Sequence, residues 1–128
     1  MSHLTVIPHT IRNLNALKVA SEKLGLEYRE NQRSFKWFGT QGNCDHAIGL
    51  KHNSSAYEVG VVKKAKAEAE YELKFDSFDS ALADVVGYSM EHLLQGYAQQ
   101  LVLQEMPFGW DYTMQKQQNG DLIMELSH

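Results

Sequence analysis

A single cysteine, Cys44, stands in 128 residues, so no internal disulfide can form and nothing points to an oxidising compartment. Prolines are as scarce, with only Pro8 and Pro107, and no stretch rich in Gly, Ser or Pro offers a linker. One α+β domain over residues 1–128 is therefore expected. No apolar run approaches the ~18–20 residues that span a bilayer. The first residues lack the basic start and apolar stretch of a signal peptide. A soluble, cytoplasmic protein with no membrane contact is expected. A basic patch is missing too. Lys and Arg number 12 against 16 Asp and Glu, for a net charge of −4. The one dense basic cluster, Lys63, Lys64 and Lys66, is followed at once by Glu68, Glu70 and Glu72. That is a solvated strand end, and no nucleic-acid partner is expected.

What is present is ordinary globular material, with 43% hydrophobic and 22% charged residues, and its patterning is informative. β-branched and apolar residues over 3–7 predict a strand that Pro8 ends. Asn13 is a helix N-cap candidate. Leu14, Leu17, Ala20 and Leu24 then recur at helical spacing, and Gly25 sits where a left-handed C-cap residue belongs. Residues 26–30 predict a second strand. Alternation with period 2 follows over 34–38, 45–52, 57–63 and 69–75, the signature of half-buried antiparallel strands. Residues 53–55 read as a turn. Leu82, Val86, Met90, Leu93, Leu94, Tyr97 and Leu101 form the apolar stripe of the longest helix, which can break near Gly87 and is stopped by Pro107 and Gly109. Asn119-Gly120 between two alternating segments predicts a closing hairpin. The order is β-α-β-β-β-β-β-α-β-β. Short connections make the central sheet mainly antiparallel, and the two helices cover one face of it in a two-layer sandwich.

Several stretches carry a resemblance. Met1-Ser2-His3 opens the first strand, and Asn13-Leu14-Asn15-Ala16-Leu17 starts the helix. Trp37 and Gly39 precede Asp45-His46-Ala47-Ile48-Gly49-Leu50-Lys51. Tyr57-Glu58-Val59-Gly60-Val61 matches a Tyr-Asp-Ile-Gly-Phe stretch, Leu94-Gln95-Gly96-Tyr97-Ala98 a helix with Tyr-Ala, and the closing hairpin holds Asn119-Gly120-Asp121. In this order they resemble the hypothetical chloroplast open reading frame 35 family, or domain of unknown function 1257, small proteins of plastids, cyanobacteria, other bacteria and phages. Glu58 and Val61 depart from the family's Asp and Phe, and residues 76–88 differ from its pattern. The resemblance implies the fold, and partnership at most with an ATPase of the AAA+ type. It implies as location a bacterial or phage-infected cell, or the plastid stroma.

Candidate chemistry is thin. Cys44, Asp45, His46 and His52 are of metal-ligating types, but neighbours on a strand face opposite ways, and His46 and His52 stand roughly 20 Å apart along an unbroken strand. No metal or cofactor is expected. No nucleophile elbow or phosphate-loop signature occurs, and Gly39-Thr40-Gln41-Gly42 reads as a plain loop. Glu91 and His92 read as a solvent-facing helix flank. A non-enzymatic interaction or regulatory module is expected, its partner a protein such as an AAA+ ATPase, or a second copy of itself. The alternative is a small-ligand-binding or sequestering protein, phage-encoded and acting against host defence. For either, Trp37, Phe38, Thr40 and Gln41 are expected to border the contact site, since rings beside polar donors and a glycine-flanked loop suit recognition. Phe38 has a second reading, as a ring packed beneath the C-terminal hairpin.

Overall fold

The computed structural model describes residues 5–37, 40–53, 56–65, 69–76, 80–106, 109–116, 118 and 122–127. Five strands form the main sheet, in the order β1 (Thr5–Ile11), β7 (Tyr71–Phe75), β6 (Val59–Lys63), β5 (His46–Leu50), β2 (Leu26–Arg29). Every neighbouring pair is antiparallel. The three central strands are consecutive in the chain, as their short connections require. β1 and β2 therefore run parallel to each other at the two opposite edges. Helix α1 (Leu14–Lys23) bridges them across one face.

The expected order holds, with two refinements. The long helix is divided into α2 (Ser80–Val86) and α3 (Glu91–Glu105) by Gly87, whose φ of +94° is left-handed. Thr40–Asn43, read from sequence as a loop, is a strand, β4, paired with β3 (Ser34–Trp37) in a separate two-stranded ribbon. A second ribbon joins β8 (Asp111–Lys116) to β9 (Leu122–Ser127); the Asn119-Gly120 turn expected between them lies outside the described residues. Pro8 does not end β1, which continues to Ile11. Its pairing with β7 is irregular between Ile7 and Ile11. An edge strand tolerates a residue without an N–H at such an irregularity.

The helices bury one stripe against one sheet face. Leu17 and Ala20 of α1, Leu82 and Val86 of α2, and Leu93 and Tyr97 of α3 meet Leu26, Ile48, Val59, Val61, Leu73 and Phe75. Each large side chain so buried contributes roughly 1.5–3 kcal/mol. The N-cap at Asn13 forms as expected, its side chain accepting the Ala16 N–H at 3.0 Å. Gly25 takes the left-handed position after α1, with φ +81°. Tyr97 ties the helical layer together: its hydroxyl accepts the N–H groups of Arg12 and Asn13 at 3.0 and 3.2 Å. No helix of the described residues is long and apolar enough to cross a membrane.

Candidate functional site

The opposite sheet face carries the β3–β4 ribbon. Glycine makes this docking possible. Phe35 of β3 is fully buried with Cys44 and Ala47, and Trp37 and Val62 pack around them. The Phe35 ring lies so close to Gly60 of β6 and Gly42 of β4 that a Cβ at Gly42 would stand 2.6 Å from it, and one at Gly60 nearer still. Any larger residue at either position would push the ring off the sheet.

One buried carboxylate fixes the ribbon's other side. Glu58, just before β6, is 1% exposed. Its Oε2 accepts Arg29 Nη1 at 2.5 Å and Gln32 Nε2 at 2.7 Å. Its Oε1 accepts the Lys36 N–H at 3.0 Å, and its own N–H donates to the Lys36 carbonyl at 2.9 Å. A buried charge persists only when paired and hydrogen-bonded in this way. Arg29 reaches Glu58 by crossing Gly49, where a Cβ would meet Nη1 at 2.7 Å. It also donates to Glu27 at 2.7 Å and to the Leu50 carbonyl at 3.0 Å. Burial opposes the Arg29 charge, but the bonds to Glu27 and Glu58 prevail and raise its pKa. The same guanidinium holds the Glu27 carboxyl below its ordinary value.

Beside this network opens a polar cavity of about 510 Å³, walled by Arg29, Gln32, Lys36, Gln41 and Glu58. Gln41 is the expected site residue that lines it. Thr40 and Gln41 are exposed on β4, and Trp37, opposite Thr40, is half-buried against the Phe35 cluster. Phe38 lies outside the described residues, and so does the test of its two readings. Sequence reasoning missed Glu58, Arg29 and Gln32 as parts of a site, and noted Glu58 where the family has Asp. A signal was present: an acid two residues before Gly60 within an otherwise apolar run.

The other chemical candidates do not converge. Cys44 Sγ donates to the Gln32 carbonyl at 3.1 Å, and burial, with Glu58 and Asp45 nearby, pushes its thiol up to about 11. That is the reverse of nucleophile activation. Asp45 bonds Arg33 at 3.2 Å and the Lys63 N–H at 2.7 Å. His46 points to the helix side. Its Nδ1 accepts the Asn31 N–H at 2.9 Å, and its ring stacks on Tyr28. His52 is exposed beyond β5. Among the described residues, no group of three or more His, Cys, Asp or Glu side chains could hold a metal ion. Glu91 turns back to accept the Ser89 N–H at 2.8 Å, and His92 Nδ1 meets the Val85 carbonyl at 3.1 Å.

No protein-family model and no solved structure matches the chain. An uncharacterized protein ycf35 of Cyanophora paradoxa is 32% identical over 106 residues, which cover 82% of this chain and 78% of that relative. The shared span takes in most of the framework on which the ribbon and its carboxylate anchor are built, and the chain belongs to the ycf35 family.

Proposed function

We propose that this protein is a non-enzymatic interaction module with a regulatory role, and that the β3–β4 ribbon is its contact surface. One observation carries the reading. The ribbon is fastened rigidly to the sheet through Glu58 and Phe35, yet its outer strand is wholly polar and exposes Thr40, Gln41 and Asn43. Pre-ordering of this kind lowers the entropy lost on binding. The charged groups of the site serve that fastening, and its thiol is held protonated, which favours binding over catalysis. The partner is a protein, and an ATPase of the AAA+ type, implied by the family resemblance, is the first to test. The setting is the cytoplasm or the plastid stroma.

A photo-crosslinking residue placed at Gln41, and separately at exposed Lys18 on α1, tests the location in native lysate. Adducts with one defined protein from position 41 but not 18 are expected. Adducts from position 18 alone would move the contact surface to the helices. A second reading, a small polar ligand, is favoured by the cavity, whose volume falls in the usual ~300–1,000 Å³ range of ligand sites. A metabolite released on denaturing the purified protein would select it.

A further inference from the structure

The geometry points to strand addition: β4 takes an extended segment of a partner polypeptide as the third strand of the ribbon. This deepens the interaction reading above and rests on it.

The hydrogen-bond pattern of the ribbon gives the first argument. In an antiparallel ladder, opposed residues alternate between pairs that exchange both backbone bonds and pairs that exchange none. Lys36 turns its N–H and its carbonyl away from β4, to Glu58. Lys36 stands opposite Gln41, and Ser34 opposite Asn43. Gln41 and Asn43 therefore direct their N–H and carbonyl groups outward, while Thr40 and Gly42 are bonded to β3. Outside the ribbon's own ladder, neither Gln41 nor Asn43 makes a hydrogen bond to another described residue.

Comparison with the other edges gives the second. Native sheets blunt their free edges with charge, proline or irregular pairing. β1 carries Pro8 and a register irregularity. β2 carries Glu27 and Arg29, joined as an ion pair. β8 carries Asp111 and Lys116, and β9 carries Glu125. The β4 sequence Thr-Gln-Gly-Asn has no charge and no proline, and its pairing with β3 is regular. Among the described edge strands it is the one with neither charge nor proline nor irregular pairing, though it is short at four residues, and it lies on the ribbon that packs against the sheet.

Side chains set the partner's chemistry. A residue opposite Gln41 shares its face with Gln41 and, one strand further, with Lys36. Cross-strand pairs of that kind favour a hydroxyl, amide or carboxylate. The occupant is an extended, polar or acidic polypeptide segment, bound by its backbone and selected at alternate side chains.

The test uses the full chain, isotope-labelled, with peptides selected on it from a displayed random library as probe. Amide exchange should slow at least tenfold at Gln41 and Asn43 on peptide binding, and change little at Thr40 and Gly42. Gln41→Pro should weaken peptide binding at least tenfold, while Gln41→Ala costs less than threefold. If Gln41→Pro fails to fold, the exchange pattern of the unaltered protein decides. Peptides that bind without protecting Gln41 and Asn43, or a library that yields no binder, would overturn strand addition. Protection that rises with protein concentration alone would give the edge to a second copy and also overturn it. Crosslinks from Gln41 without amide protection would keep the ribbon as contact surface and reject only this mode.

Discussion

At the scale of single residues, the strongest dependence falls on Glu58. Removing a buried acceptor leaves its hydrogen-bond donors unsatisfied, at a cost of about 1–3 kcal/mol. Glu58→Ala should lower stability by about that much, leaving Gln32 and the Lys36 N–H without their acceptor while Arg29 keeps Glu27 and the Leu50 carbonyl. Denaturant titration checks it, and a loss below about 1 kcal/mol would show that the ribbon does not depend on this carboxylate. Cys44 supplies a pH dependence. Its thiol rises from 9.0 to about 11 in the folded protein, so the folded chain holds that proton more tightly than the unfolded one. The stabilisation is complete below pH 9 and is lost as pH climbs to about 11. Melting curves of the native protein and of Cys44→Ala should converge across that interval. Alkylation of the native thiol should be slow at neutral pH and rapid once the chain is unfolded. An alkylation rate equal to that of a free thiol at neutral pH would contradict the burial.

At the scale of elements, what the sequence discloses follows the periodicities. Leu14, Leu17 and Ala20 announce α1, and Asn13 and Gly25 its two ends, because capping and helical spacing are local. Leu82, Val86, Leu93 and Tyr97 announce the buried stripe, although Leu94 proves only half-buried at its margin. β4 was not legible. Thr-Gln-Gly-Asn has turn-like composition, and it becomes a strand through pairing with β3 and the seat that Gly42 gives to Phe35. The Glu58 network was not legible either, since it joins residues 29 apart in sequence. Of the candidate site, Trp37, Thr40 and Gln41 were found on the ribbon, but the groups that hold it in place were not. Gly60→Ala should force the Phe35 ring off its seat at a cost of typically 1–3 kcal/mol. Amide exchange in β3 and β4 should quicken more than in β6 itself, and equal quickening would mean that the ribbon and sheet open as one unit. The start of α3 offers a second test. The Glu91 carboxylate accepts backbone N–H groups there, its own first, and its pKa is lowered. Its contribution is present above the ordinary value near 4.5 and fades as pH falls through the lower folded value. Glu91→Gln should reduce stability at neutral pH, and the difference should shrink in acid. A constant difference would exclude the carboxylate charge as the cause.

At the scale of the whole molecule, β1 and β2 are close in the chain and far apart in the sheet, with β5, β6 and β7 between them. The opening β-α-β unit is a staple whose two prongs have nothing to grip until the meander exists. Synthesis runs from the N-terminus at ~5–20 residues per second, so the first thirty residues wait several seconds for Phe75 to appear. During that wait, α1 presents an apolar stripe with no layer to cover it, and a helix of 10 residues is too short to persist alone in water. Nascent chains halted before Tyr71 should therefore be protease-sensitive throughout, and protection should arrive in one step once β7 and α3 are complete. Stepwise protection of residues 5–29 ahead of β7 would contradict this order. Folding of the staple is therefore timed by the entry of β7, which closes the sheet on β1, and not by the earlier synthesis of β1 and β2.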